Sequence, residues 1–341
     1  MRPTVGIVSI GEMGLGMARL LKAHDYHVMT VAQGRSEHTL ARINSAGIEI
    51  LPSDEDLVIQ ADYILSIVPP KNTMATAQRI AKAYAYTSPQ NQTKEAAREG
   101  SRLKRNELYY LELNAVPARM AAEMASLFDA KENSDLKISD KSDISDQSGK
   151  SGCHFLDGGI IGGPPQSTQD GWTRPSVVLS GAVDMHLAPA FEALAEVLNL
   201  QLVSAQLGAA KTLKLSFSAL TKGLTALSIM SFSTVHKVSM LPQLLALLEE
   251  QSPRTAALAT HGVIGMSPKA YRWEDEMRGI GEMLERVGGW DVGGSAYGGI
   301  AAVYRTIAED TILGQERVEH RVRGVTVDDA ARIIASRASM S

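Results

Sequence analysis

A short glycine-containing segment near the amino terminus could bind the phosphates of a nucleotide. Ser9-Ile-Gly11-Glu-Met-Gly14 follows an apolar run and opens a helical pattern, where dinucleotide-binding domains carry their glycine fingerprint. Gly11 would let backbone N–H groups approach a pyrophosphate, and Gly14 would let helix and strand pack closely. The fingerprint prefers glycine where this chain has Ser9. We predict that Gly11, Glu12, Met13 and Gly14 bind a dinucleotide; the alternative is a purely structural glycine turn.

The residues after the second predicted strand bear on which nicotinamide cofactor is used. Chains that bind NAD usually place Asp or Glu about 20 residues beyond the glycines. This chain has Val31-Ala-Gln-Gly-Arg35-Ser36 there, without a carboxylate. Arg35 could pair with a 2′-phosphate, and Ser36 could donate a hydrogen bond to it. We therefore predict NADP(H) as the cofactor; the alternative is a solvated arginine after a turn.

Three lysines and a serine lie on one stripe of a long predicted helix. Lys211, Lys214, Ser218 and Lys222 recur at i, i+3, i+7 and i+11. Burial can lower the pKa of a lysine from about 10.4 toward neutrality, where its amine can exchange a proton with a substrate. Because the residues between them are mostly apolar, we favour a buried helix over a solvated cationic face. We expect Lys211 itself to be solvated or near phosphate.

The elements that position these residues alternate between strand and helix up to about Gly208, and are almost wholly helical after it. This order favours a doubly wound parallel sheet followed by helices. We predict an α/β chain with a Rossmann domain over 1–206 and an all-α substrate and dimerisation domain over 207–341. The predicted strands are Val5–Ile10, His27–Val31, Ala61–Val68, Leu108–Leu113, His154–Asp157, Ser176–Ser180 and Leu200–Ser204. The main predicted helices are Met13–Ala23, Thr39–Ala46, Thr73–Tyr84, Lys211–Met240, Leu241–Gln251, Pro268–Val287, Ala296–Leu313 and Val327–Ser336.

Two polar stretches interrupt the alternation. Residues 87–106 are predicted to be a surface insertion with a solvated helix over 93–105. Residues 131–152 are rich in Ser, Asp and Lys and are predicted to form a disordered loop.

Composition excludes several classes of function. A net charge of −4 suggests neither a nucleic-acid surface nor a polybasic membrane anchor. One cysteine allows no intrachain disulfide, and no CxxC or HExxH spacing indicates a metal site. No apolar run approaches the roughly 18 residues of a membrane span. We expect a cytoplasmic protein without metal, nucleic-acid or membrane partners.

Four segments resemble the β-hydroxyacid dehydrogenase superfamily, which includes 6-phosphogluconate and 3-hydroxyisobutyrate dehydrogenases and, more distantly, imine reductases. The segments are residues 11–18, 65–70, 157–163 and 208–214. The later half is similar to the branch with a phosphogluconate dehydrogenase C-terminal-like domain, on residues 218–223 and 270–277. The resemblance implies an NADP(H)-dependent oxidoreductase that is a homodimer through its helical domain.

The resemblance also assigns roles to individual residues. It implies that Lys214, six residues after Gly208, exchanges a proton with the substrate while hydride moves to or from the nicotinamide; Lys222 is the reserve candidate. Arg272, Trp273 and Glu276 are expected in the core or an interface rather than in the cleft. The remaining implied contacts are Val68, Pro69, Pro70 and Asn114 with the nicotinamide half of the cofactor, and Ile161, Gly162, Gly163 and Ser218 with the substrate.

Two departures from the family pattern affect the substrate. The family usually has Asn three and four residues after the lysine, where this chain has Phe217 and Ser218, and it has Ser where this chain has Ile161. Both changes remove polar groups, so we predict a bulkier or less polar substrate than the family's hydroxyacids. An imine reductase or reductive aminase is the nearest alternative. A non-catalytic NADP-binding sensor or scaffold is the alternative of another class.

Overall fold

The computed structural model describes residues 2–87, 107–128, 152–183, 185, 188–317 and 320–337. The predicted insertion over 87–106 and the predicted loop over 131–152 therefore lie, apart from Thr87 and Gly152, outside the described residues. The chain divides into two compact units, Met1–Lys214 and Leu215–Ser341. The boundary predicted at 206/207 falls earlier, in the segment just before the long helix Ala209–His236.

The first unit alternates strands and helices, as βαβ units do. Its strands are β1 (Thr4–Val8), β2 (His27–Val31), β3 (Glu49–Leu51), β4 (Tyr63–Ser66), β5 (Leu108–Glu112), β6 (Cys153–Ile161), β7 (Gln166–Thr168), β8 (Gly171–Thr173), β9 (Ser176–Ser180) and β10 (Leu200–Ser204). Its helices are α1 (Glu12–Ala23), α2 (Glu37–Ser45), α3 (Asp54–Gln60), α4 (Thr73–Thr87), α5 (Arg119–Ser126), α6 (Phe191–Leu198) and the first residues of α7 (Ala209–His236).

Among the described residues, one large sheet has the strand order β10-β9-β6-β5-β4-β1-β2-β3. The central strands are buried on both faces, which is why they consist of continuous apolar runs such as Val5-Gly-Ile-Val8. The chain leaves β1 toward β2 on one side, and β4 lies on the other, so β1 and β4 flank a topological switch point. Ligands of open α/β sheets bind outside the carboxyl ends of the strands at such a point. The predicted α/β fold is confirmed.

One pairing corrects the expectation of a wholly parallel sheet. Strand β9 pairs with β6 in the antiparallel direction, although the other described pairings of this sheet are parallel. The connection from β6 to β9 contains only the β7–β8 hairpin and no crossover helix. A connection of this kind returns the chain antiparallel, because parallel neighbours need a longer crossover.

The second unit, as far as the structure describes it, is built from helices, and the predicted all-α domain is confirmed. Helix α7 continues into this unit and is followed by α8 (Leu241–Gln251), α9 (Pro253–Met266), α10 (Ala270–Arg286), α11 (Gly293–Glu309) and α12 (Val327–Ala335). These helices share a core of buried apolar side chains that includes Leu215, Val263, Met277 and Ile334.

Helix α7 is also long and apolar enough to be compared with a membrane-spanning helix. By length and composition alone it would pass for a membrane span, yet 50% of its most apolar window is buried inside the protein. A buried core helix has the same length and composition, so this property is no argument for membrane contact.

Candidate functional site

The turn between β1 and α1 has the tight geometry that the glycine pattern predicts. Ser9 adopts a φ of 79°, a left-handed conformation that explains why glycine is usual at this position. A Cβ on Gly14 would collide with the backbone carbonyl oxygen of Ser9. Gly14 is therefore required for the first turn of α1 to pack against the end of β1.

The N-terminus of α1 is open to a ligand. Gly11 is its N-cap and has no side chain to accept a hydrogen bond from the N–H groups of the first turn. The first helical hydrogen bond runs from the Leu15 N–H to the Gly11 carbonyl at 2.9 Å, so the N–H groups of residues 12–14 have no partner within the helix. A Cβ built on Gly11 would meet nothing within 4 Å. This space and these donors fit a pyrophosphate, which is attracted to helix N-termini.

The structure places the predicted 2′-phosphate residues at the end of β2, next to β1. Gly34 has a φ of 70°, and the N–H of Arg35 donates to the carbonyl of Ala32 at 3.1 Å, so the chain turns sharply there. The turn leaves the side chain of Arg35 exposed. Ser36 is the N-cap of α2 and its hydroxyl oxygen accepts the Thr39 N–H at 3.4 Å. The cation and the N-terminus of α2 both favour an anion at this turn.

On the other side of the switch point, a buried amide joins the ends of β4 and β5. The side-chain oxygen of Asn114 accepts the Val68 N–H at 2.7 Å, and its Nδ2 donates to Ser66 Oγ at 3.2 Å. Pro69 and Pro70 follow at once, and Pro70 begins a short 3-10 helix. The predicted nicotinamide-side residues Val68, Pro69, Pro70 and Asn114 thus lie just beyond the carboxyl ends of the neighbouring strands β4 and β5.

Lys211 is not solvated, contrary to the prediction. Its side chain is 1% exposed and forms an ion pair with the fully buried Glu112. Burial raises the pKa of Glu112, while the Lys211 charge and the Asn114 N–H act to lower it. A cation can be buried here because Glu112, nearly a hundred residues earlier in the chain, supplies the opposite charge. Nothing in the local pattern around either residue indicates this pair.

Lys214 lies on the same buried face of α7 and is 7% exposed. Its stem packs on Gly159 of β6, where an added Cβ would be only 2.7 Å from Lys214 Cβ and Cγ. Two residues further along β6 is Ile161, followed by Gly162, whose φ is 124°, and the exposed Gly163. The structure therefore brings the candidate catalytic lysine to the strand that leads into the candidate substrate segment.

Two buried polar residues that the sequence did not single out fix the start of this helix. The carboxylate of Asp157 accepts the Gly208 N–H at 2.9 Å and the Ser180 hydroxyl at 2.8 Å. Ser180 Oγ in turn accepts the Ala210 N–H at 2.9 Å. Asp157 and Ser180 are adjacent across β6 and β9, so the sheet itself caps the helix that carries Lys214. A carboxylate inside a predicted strand was the available signal.

The reserve candidate Lys222 lies in the second unit and is held by its surroundings. Its ammonium forms an ion pair with Glu276 and lies 4.8 Å from the centroid of the Trp273 ring. The Tyr304 hydroxyl donates to the Lys222 carbonyl at 2.6 Å. Trp273 and Glu276 thus belong to the interior of this unit, whereas Arg272 is exposed. Ser218, the polar residue predicted to contact substrate, is buried on α7.

Two family models match parts of the chain, one within each unit. Residues 4–88 match a family described as NADP oxidoreductase, coenzyme F420-dependent. Residues 236–307 match a domain of unknown function, DUF1932. No curated protein matches the chain.

Solved structures resemble the chain along nearly its whole length. The 3-hydroxyisobutyrate dehydrogenase of Salmonella typhimurium is 15% identical with a TM-score of 0.60, over 96% of this chain and 98% of that one. The Mycobacterium tuberculosis 3-hydroxyisobutyrate dehydrogenase, solved with L-serine, is 13% identical with a TM-score of 0.60, over 90% and 99%. A conserved hypothetical protein of Sinorhizobium meliloti 1021 is 17% identical with a TM-score of 0.59, over 99% and 97%. The predicted resemblance to the β-hydroxyacid dehydrogenase superfamily is confirmed at the level of the fold.

Proposed function

We propose that this chain, which has the fold of the β-hydroxyacid dehydrogenase superfamily, is an NADP(H)-dependent oxidoreductase. The observation that carries the proposal is the turn from β1 to α1, where Gly11 opens an uncapped helix N-terminus to a phosphate. The match of residues 4–88 to an NADP oxidoreductase family supports the same assignment. Arg35, exposed at the end of β2, favours a cofactor with a 2′-phosphate over one without it.

Lys214 is the residue that we assign to proton transfer. A bound reduced nicotinamide would supply a hydride to an electrophilic carbon of the substrate. Lys214 would donate a proton to the oxygen or nitrogen on that carbon, and in the oxidative direction it would accept the proton of the hydroxyl. Lys211 does not fit this role, because its ammonium is enclosed by Glu112 and backbone carbonyls. Lys222 is held by Glu276 and remains the reserve.

The substrate that fits these residues best is a carbonyl compound or alcohol of low polarity. Ile161 ends β6 two residues after Gly159, which packs on Lys214, and its side chain cannot bind a carboxylate as a serine could. The same loss of polar groups favours imine reduction as the second candidate. An inert NADP-binding sensor would show no turnover on either class.

We also propose that the helical unit pairs with a second copy of the chain. Large apolar side chains recur at heptad-like spacing along the exposed side of α7, and Leu220 among them is 77% exposed. The other members of this apolar stripe are Leu213, Phe217, Leu227 and Met230. Analytical ultracentrifugation should give a dimer for the wild type and a monomer for Leu220→Asp. A monomeric wild type would contradict the proposal.

The function is tested by a cofactor-oxidation screen. Purified protein is mixed with NADPH or NADH and panels of ketones, aldehydes, hydroxyacids and cyclic imines. We expect NADPH-dependent turnover of apolar carbonyl compounds or imines, and loss of that turnover in Lys214→Ala. Fast turnover of 6-phosphogluconate would contradict the substrate class, and unchanged turnover in Lys214→Ala would contradict the role of this lysine.

A further inference from the structure

The ammonium group of Lys211 is surrounded by oxygen atoms. Nζ lies 2.8 Å from the Gly158 carbonyl, 3.1 Å from that of Asn114 and 3.2 Å from that of Glu112, besides its ion pair with the Glu112 carboxylate. An ammonium group has three N–H donors, and these oxygen atoms can accept all of them. A cation whose donors are all used inside the protein has none left for a substrate.

The carboxylate of Glu112 has a second partner, the backbone of Asn114. Its Oε1 accepts the Asn114 N–H at 2.9 Å. Lys211 donates to the carbonyl of the same residue. The pair therefore holds both backbone hydrogen-bonding groups of Asn114, just beyond the carboxyl end of β5.

The side chain of Asn114 is hydrogen-bonded to the end of the neighbouring strand β4. Its Oδ1 accepts the Val68 N–H at 2.7 Å, and its Nδ2 donates to Ser66 Oγ at 3.2 Å. Because the Asn114 backbone is held in place and both polar atoms of its side chain are hydrogen-bonded, Asn114 fixes the position of the Val68 backbone. Val68 begins the segment assigned to the nicotinamide half of the cofactor.

We propose that Lys211 and Glu112 are positioning residues that fix Asn114 and, through it, the Val68 backbone at the nicotinamide end of the site. The assignment of that end rests on the proposed function. Stability alone does not account for such a pair, because replacing a buried ion pair by apolar residues is often neutral or stabilising. The pair instead fixes the local backbone, because its hydrogen bonds are made to particular backbone atoms at the end of β5 and within β6.

Two variants remove the pair in different ways. Lys211→Met leaves the Glu112 carboxylate buried without its partner, which risks misfolding. The double variant Lys211→Met with Glu112→Gln removes both charges while the Gln oxygen can still accept the Asn114 N–H. Thr30→Val is the matched control, because it deletes a buried 2.7 Å hydrogen bond in the same sheet, from Thr30 of β2 to the Ile7 carbonyl of β1.

The first measurement needs no cofactor. Hydrogen–deuterium exchange is followed in peptides that cover residues 64–70 of the free protein. We expect exchange at Val68 to be at least about tenfold faster in both pair variants and unchanged in Thr30→Val. Unaltered protection of Val68 in the folded double variant would overturn the proposal, whatever the protein binds.

The second measurement separates positioning from general destabilisation. Kd values are measured for NADPH and for 2′,5′-ADP, which contains the adenosine half of the cofactor but no nicotinamide. The double variant should bind NADPH about ten- to a hundredfold more weakly and 2′,5′-ADP within about twofold of the wild type. Equal weakening of both, or of neither, would overturn the proposal. A wild type that binds 2′,5′-ADP but gains nothing from the nicotinamide half would instead contradict the proposed function.

Discussion

The side chain of Lys214 packs directly on the backbone of Gly159. A Cβ at Gly159 would lie 2.7 Å from both Cβ and Cγ of Lys214. The methyl group of Gly159→Ala must therefore displace the lysine, and we expect kcat to fall by about ten- to a hundredfold while the Kd for NADPH is unchanged. Gly265→Ala, where a Cβ meets nothing within 4 Å, is the control. Equal kcat values for the two variants would show that the position of Lys214 does not matter for turnover.

Substitution should distinguish the roles of Lys214 and Lys222, because one should affect turnover and the other stability. Lys214→Met should lower kcat by about 10²- to 10⁴-fold, the usual contribution of a general acid or base, with the NADPH Kd retained. Lys222→Met should instead lower the free energy of unfolding by somewhat less than about 3 kcal/mol, because Glu276 would lose its cation in a site that is only partly shielded from water. Urea denaturation measures the free energy of unfolding of both variants, and steady-state kinetics measure their kcat. The reverse pattern would move the catalytic role to Lys222.

The two glycines of the phosphate turn should respond differently to alanine. Gly14→Ala forces a Cβ into the Ser9 carbonyl, so we expect a loss of stability of about 1–3 kcal/mol together with loss of cofactor binding. Gly11→Ala meets no protein atom within 4 Å at a φ of −74°, so its thermal unfolding temperature should stay near that of the wild type. Its NADPH affinity should nevertheless fall, because the methyl group occupies the space beside the helix N-terminus. Full NADPH affinity in Gly11→Ala would place the phosphates elsewhere.

Arg35 should determine the preference between the two nicotinamide cofactors. Arg35→Ala removes a charge-assisted pair with a 2′-phosphate, so the Kd for NADPH should rise by about ten- to a hundredfold. The Kd for NADH, which has no such phosphate, should change by less than about threefold. Arg286→Ala, an exposed arginine of α10, is the matched control. If Arg35→Ala weakened both cofactors equally, the arginine would not recognise the 2′-phosphate.

The segment before α12 should weaken in acid. The Val322 N–H, donated at 2.7 Å, lowers the pKa of Glu316, and the Gly324 N–H, donated at 2.6 Å, lowers the pKa of Asp329. Carboxyls with depressed folded-state pKa values stabilise the fold above their unfolded values of about 4 and lose that contribution as pH falls through the folded values. The thermal unfolding temperature should therefore drop more steeply below pH 4 in the wild type than in Glu316→Gln with Asp329→Asn. Parallel curves would contradict this assignment.

Much of the fold follows from the apolar patterns. Strands β2, β9 and β10 and helix α8 have the predicted bounds, because each is an apolar run or stripe closed by turn residues. Elements that are short or of unusual composition have too weak an apolar pattern to be predicted from the sequence. Strand β3 has three residues, and α3 begins with the acidic Asp54-Glu-Asp, which suits a helix N-terminus but resembles a loop. Strand β6 continues through the adjacent Gly158 and Gly159 to Ile161, four residues beyond the predicted end at Asp157.

The site was predictable where its chemistry is local and not where it depends on distant partners. The glycine turn and the exposed Arg35 lie within one βαβ unit, and the residue pattern alone predicted their places after β1 and β2. Helix α7 was predicted to be buried because the residues between its lysines are apolar. In the structure Lys211 and Lys214 are buried, whereas Leu213, Phe217 and Leu220 are exposed. Lys211 can be buried only because β5 brings Glu112 to it, and residue spacing along one helix contains no information about that partner.

Calorimetric titration of the wild-type protein and of Gly11→Ala with NADPH and NADH tests the proposed dinucleotide site most directly. We predict saturable binding of NADPH at one site per chain, weaker binding of NADH, and loss of NADPH affinity in Gly11→Ala without loss of fold. Absence of binding heat for both nucleotides in the folded wild type would contradict the dinucleotide site and, with it, the proposed hydride chemistry.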